Sequence, residues 1–155
     1  MAYVHSVLQP GETVKVIGRL HWIVYLRALF VLALGGVVIV YSRQPQTAPE
    51  TARLLFFAGW AVVAVGGLLL FGAWFRRMMT ELSVTTQRVV YKRGFIWRRT
   101  VEMNLDKVET VDVEQTIGGR VLGYGTVRIR GTGQGIEAMD RVGSPSRLRT
   151  AITAG

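Results

Sequence analysis

Two apolar runs dominate the first half of the chain: Trp22 to Tyr41, broken only by Arg27, and Leu54 to Phe75, which carries no charge. About 20 helical residues at roughly 1.5 Å rise cover a hydrocarbon core of about 30 Å, so each run is long enough to cross a bilayer. A backbone in lipid must satisfy its own hydrogen bonds, which makes both runs helices. The expected hairpin occupies residues 22–75, with spans 22–41 and 54–75 and an exposed link 42–53 containing Pro45 and Pro49. Residues 1–21 then form a juxtamembrane segment, and residues 76–155 a single small soluble domain.

Past Arg77 the pattern changes from helical to alternating. Glu81 to Thr85 alternates, Arg88 to Lys92 is rich in β-branched and aromatic residues, and Phe95, Trp97, Val101 and Met103 occupy odd positions of the next segment. Further strands are expected at Val108 to Val113, Arg120 to Leu122, Gly125 to Arg130 and Gly135 to Met139. Thr86-Gln87 leaves room only for a very tight turn. Near the end, Ser144 is placed to cap a helix, Pro145 suits its first position, and Leu148, Ala151 and Ile152 share one face. The expectation is an α+β membrane protein: a two-helix transmembrane hairpin followed by a seven-stranded β-barrel or sandwich capped by a C-terminal α-helix.

Small residues in the spans recur every seven positions: Ala28, Gly35 and Ser42 in the first, and Ala52, Gly59, Gly66 and Ala73 in the second. Seven residues are nearly two turns, so each set forms a seam where another backbone can approach closely. Packing of the two helices against each other is the simplest use, and a partner helix in an oligomer is the alternative.

Composition and charge refine this picture. The 155 residues carry a formal charge of +9, and in a chain tethered to lipid the expected partner of that charge is the anionic headgroup layer rather than nucleic acid. The link holds Arg43 and Arg53. The other side holds Lys15 and Arg19, then Arg76, Arg77, Arg88, Lys92 and Arg93. That asymmetry places both termini in the cytoplasm. Trp22, Tyr25, Tyr41, Trp74 and Phe75 fall where interfacial aromatic belts form, and Arg27 is close enough to one end to snorkel. A cleaved signal peptide is the rival reading of the first run, but the run is too long for a signal core and a second span follows.

Candidate chemistry is sparse. There is no cysteine, which excludes disulfides and thiolate chemistry. His5 and His21 both precede the first span. Glu102, Asp106, Glu109, Asp112 and Glu114 form the main acidic cluster. Asp112 and Glu114 would share a strand face, but interleaved Lys107 and the basic neighbouring strands favour cross-strand ion pairs over a metal site. Gly131-Thr132-Gly133-Gln134-Gly135 lacks the lysine and helix of a phosphate loop and reads as a hairpin turn. No catalytic residue, cofactor or metal is expected.

The segments His21-Trp22, Glu81 to Thr85, Arg88 to Gly94, Glu102 to Glu109, Gly119 to Val127 and Pro145 to Arg149 resemble those of the bacterial PH-domain membrane proteins. Leu8-Gln9-Pro10-Gly11-Glu12 resembles the segment those proteins place ahead of the first span. The resemblance implies a membrane hairpin carrying a cytoplasmic PH-like domain, and no reaction. Eukaryotic PH domains hold phosphoinositides with basic residues around a long loop between their first two strands; here that loop is expected to be only Thr86-Gln87, and no binding residue is carried over.

The membrane-surface candidates are Arg76, Arg77, Lys92, Arg93, Phe95, Trp97, Arg98 and Arg99; in the last six, four cations bracket an apolar aromatic hairpin tip that holds Phe95 and Trp97. Their alternation favours the reading in which Phe95 and Trp97 point into the core while the cations are solvated. Two functions follow: a noncatalytic scaffold or adaptor that binds a protein partner, itself or the membrane, and an accessory or assembly subunit of a larger membrane enzyme or transporter. An enzyme built on strand carboxylates is the weaker third class.

Overall fold

In the computed structural model of the protein, the described residues are 8, 10–94, 99–132 and 137–153, without the side chains of Arg93, Arg99 and Glu137. They form two compact units, residues 22–75 and the remainder.

The first unit is a pair of apolar helices. A 3-10 turn at Trp22–Tyr25 leads into α1 (Leu26–Ser42), and α2 runs from Pro49 to Met79. Pro49 starts α2 because its fixed φ suits a first turn and its missing N–H would lack a helical partner there. The link is thus shorter than expected, and α2, at 31 residues, extends beyond the expected span at both ends. Both helices are long and apolar enough to cross a membrane. Their large side chains point outward: Phe30, Leu54 and Leu68 are each more than 70 % exposed.

The second unit contains β1 (Val14–Arg19), β2 (Thr80–Thr85), β3 (Arg88–Arg93), β4 (Arg99–Asn104), β5 (Val108–Glu114), α3 (Ile117–Leu122), β6 (Tyr124–Gly131), β7 (Glu137–Gly143) and α4 (Pro145–Thr153). The strands form two antiparallel sheets, β1-β2-β3-β4 and β5-β6-β7, which do not close into the barrel that was one form of the expectation. Among the described residues, a bridge from Leu20, just past β1, to Val142 of β7 links the two sheets. Period-two positions of the strands supply the core: Leu82 and Val84, Val89 and Tyr91, Val127 and Ile129, with Met139, Val142, Leu148 and Ile152. The alternation follows from the pleat, which sends successive side chains to opposite faces. The helix α4 seals one side where Leu148 is 1 % exposed.

Three expectations need correction. Residues 14–19, part of the expected juxtamembrane segment, form β1, which pairs antiparallel with β2 from Val14–Thr85 to Arg19–Glu81. The strand expected at Arg120 to Leu122 lies within α3. Here Thr116 accepts a hydrogen bond at its hydroxyl from the Gly119 N–H at 3.1 Å, and Gly123 closes the helix with a left-handed φ of 74°. Those two caps outweigh the β-leaning Val121. The described strands number seven as expected, but only because the gain of β1 offsets the loss of that one. Consequently Thr86-Gln87 joins the second and third strands, and the connection between the first and second is the helical hairpin itself.

Candidate functional site

The helix seam is the closest-packed feature of the hairpin unit. Ala28, Gly35 and Ser42 are the buried residues of α1, and Gly59, Gly66 and Ala73 those of α2. The helices face each other across them. A Cβ added at Gly35 would lie 3.0 Å from the Val63 nitrogen and 3.1 Å from the Gly59 oxygen; one added at Gly59 would lie 3.3 Å from the Gly35 oxygen. At Gly66 an added Cβ would meet Leu32, with its nitrogen at 3.1 Å. Both seams are therefore occupied within one chain. Ser42 donates its hydroxyl hydrogen to the Ile39 carbonyl at 2.7 Å, so this polar residue at the seam is satisfied inside its own helix.

In the β-rich unit, a buried ionic cluster fixes the segment ahead of β1. The Glu12 side chain is fully buried and receives Arg88 in a fork, Nε to Oε1 at 3.0 Å and Nη2 to Oε2 at 3.0 Å. Arg88 also donates through Nη1 to Glu102 Oε2 at 2.5 Å. The Thr85 hydroxyl lies 2.6 Å from Glu12 Oε1 and accepts from the Arg88 N–H at 3.0 Å. The hydrogen bond that Arg88 donates to Glu12, ahead of Coulomb attraction to Glu102, raises the Arg88 pKa above its usual value and keeps the guanidinium charged. A paired, fully bonded carboxylate of this kind is a structural pin between the N-terminal segment and the β2–β3 turn.

At the other end of β1, the His21 ring stacks on Tyr124 with centroids 5.5 Å apart, and the His21 backbone N–H donates to the Arg141 carbonyl at 2.7 Å. Burial and then the nearby Arg77 charge lower the His21 pKa, which favours the neutral imidazole. Arg141 holds a left-handed φ of 55° at that contact.

A family model described as the bacterial PH domain matches residues 23–154. The chain belongs to the bacterial PH domain family. No curated protein and no solved structure matches it.

The family match covers the hairpin and the chain from β2 to the end of α4, and it starts after β1. Glu12 lies outside the match and, together with β1, joins the N-terminal segment to this bacterial PH domain. Its signal was available: a lone acid ahead of an alternating stretch, with an excess of arginine to pair it.

Two carboxylates of β5, Asp112 and Glu114, face cations across the sheet. Glu114 accepts from Arg128 at 2.8 Å and Asp112 lies 3.7 Å from Arg130, both at exposed positions. Of the surface candidates, Arg76 is exposed and Arg77 half-buried near His21. Lys92 is half-buried and pairs in register with Thr100, while Arg93 and Arg99 are opposite one another at the ends of β3 and β4. Phe95, Trp97 and Arg98 lie outside the described residues.

Proposed function

We propose that this protein is a noncatalytic, membrane-anchored PH-like scaffold. Its hairpin crosses the bacterial inner membrane twice, both termini lie in the cytoplasm, and the β-rich unit binds a protein partner, another copy of the chain or the membrane surface. The observation that carries this reading is the position of the hairpin: the two helices are the connection between β1 and β2, which are hydrogen-bonded neighbours. An anchor inserted there ties the domain to the bilayer through two adjacent strands, so unfolding the domain and releasing it from the membrane become separate events. The lysine and arginine bias supports the orientation, with Lys15, Arg19, Arg76 and Arg77 on the domain side of the spans and Arg43 and Arg53 in the link. The noncatalytic reading is supported by the engagement of Glu12, Glu102 and Glu114 by arginines and of His21 by Tyr124.

Gentle solubilisation from native membrane followed by native mass spectrometry tests it. A mass at an integer multiple of the chain, or a companion in variable amount, is expected of a scaffold. A second polypeptide at fixed stoichiometry in every particle would replace this reading with an accessory subunit of a larger complex.

A further inference from the structure

Among the described residues from Arg76 onward, four large apolar side chains are strongly exposed: Met78 near the end of α2, and Ile117, Val121 and Leu122 on α3. Ile117 and Val121 are 86 % and 81 % exposed. Four residues apart, they lie on one face of the helix. A single exposed apolar residue needs no explanation, but three on a six-residue helix form a patch. The helix is well made, with Thr116 capping its start and Gly123 its end, so the patch is held in place rather than being a frayed loop. Arg120 stands beside it, also exposed.

The position of α3 within its unit indicates what covers the patch. A Cβ on Gly118 would lie 3.8 Å from the Tyr124 hydroxyl, and the Tyr124 ring stacks on His21. His21 is the last residue before the first apolar helix, and Arg77, close enough to lower the His21 pKa, lies in the last turn of the second. The patch therefore lies at the end of the β-rich unit where the chain passes into both helices. The exposed cations at that end, Arg120 and Arg141, match an anionic surface.

We propose that α3 is a membrane-surface foot: Ile117, Val121 and Leu122 enter the interfacial layer of the bilayer that the hairpin spans, and Arg120 meets the phosphates of anionic phospholipids. This inference rests on the membrane-anchored reading. It adds a third attachment, which fixes how the domain faces the bilayer and leaves the far side, toward the Thr86-Gln87 turn, for a protein partner.

The chain has no cysteine, so one introduced thiol carries a unique probe. The full chain is placed in nanodiscs of equal parts phosphatidylcholine and phosphatidylglycerol, with an environment-sensitive fluorophore on Ile117→Cys, on Gln87→Cys, or on Leu68→Cys within α2. Quenching by aqueous iodide is compared with quenching by brominated lipid. The Ile117 probe is expected to be quenched by lipid and shielded from iodide, as at Leu68, while the Gln87 probe shows the reverse. Adding Val121→Ser returns the Ile117 probe to iodide, and Arg120→Gln lowers its membrane-bound to free ratio by about fivefold. Iodide access at Ile117 equal to that at Gln87 would overturn the foot. So would shielding from both quenchers, which marks a protein cover, or shielding unaffected by Val121→Ser, which marks the dye as its cause. Loss of lipid quenching at Leu68 would instead sink the membrane-anchored reading itself.

Discussion

Adjacent glycines on α1 offer a test of the seam in which most other effects cancel. Gly35 and Gly36 are neighbours in the middle of the same helix, and replacing either by alanine changes helix propensity by the same amount, about 1 kcal/mol in water. Their surroundings differ. At Gly35 an added Cβ would lie 2.8 Å from Val63 Cγ2 and 3.0 Å from the Val63 nitrogen, whereas at Gly36 it meets nothing within 4 Å. The valine methyl can rotate away, but the backbone nitrogen cannot, so the helices must part by about 0.5 Å to restore ordinary contact. A gap of that size forfeits roughly a quarter of the dispersion energy along the seam, where packing is the main attraction between helices in lipid. Overpacking of this kind typically costs about 1–3 kcal/mol, and Gly35→Ala should be less stable than Gly36→Ala by that difference. Gly66→Ala and Gly67→Ala form a second pair, because an added Cβ meets Leu32 at 2.8 Å in the first and nothing in the second. Titration with a denaturing detergent in mixed micelles measures the effect, with donor and acceptor dyes on Leu26→Cys and Trp74→Cys reporting separation of the helices. Equal midpoints within each pair would refute the close approach.

Glu12→Ala should destabilise the β-rich unit by about 3 kcal/mol, because it leaves the Arg88 charge without its main partner, and Glu12→Ala with Arg88→Met should cost less than Glu12→Ala alone; thermal melts in detergent followed by circular dichroism check the order of the three proteins. Gly18→Ala would place a Cβ 2.7 Å from Leu148 Cδ1 under α4, so a loss of about 1–3 kcal/mol is expected, less than additive with Leu148→Ala; protease susceptibility of α4 reads it. The lowered His21 pKa sets a pH dependence. Above the ordinary value of 6.5 both folded and unfolded states are neutral and the residue contributes nothing. As the pH falls below 6.5 the unfolded chain takes up the proton first, and stability declines until the folded pKa is passed. Melting temperature should therefore drop between about pH 7 and pH 5, and His21→Phe, which keeps a ring against Tyr124, should flatten that slope; an unchanged slope would count against burial of the imidazole.

The two apolar helices, the small-residue positions between them, the alternating core of β2, β3 and β6 and the closing α4 were all legible in the chain, because each rests on a short-range rule. Lipid-length apolar runs, the seven-residue recurrence of Ala28, Gly35 and Ser42, and period-two burial at Leu82 and Val84 need no knowledge of the rest of the fold. The pairing of β1 with β2 was not legible. Val14 and Thr85 are partners separated by the whole hairpin, and nothing in the polar alternation of Val14 to Arg19 states which strand it will meet. The misreading of Arg120 to Leu122 has a local cause: six residues are too few for periodicity to separate helix from strand, and only the caps Thr116 and Gly123 decide. Sequence alone thus determined the two long apolar helices, six of the strands, the closing helix and the family, since those follow from hydrophobic period and residue chemistry. Tertiary structure decided which strand begins the domain, that Glu12 and Arg88 form one buried pair, and that His21 stacks on Tyr124, because each of these depends on contacts between residues distant in the chain.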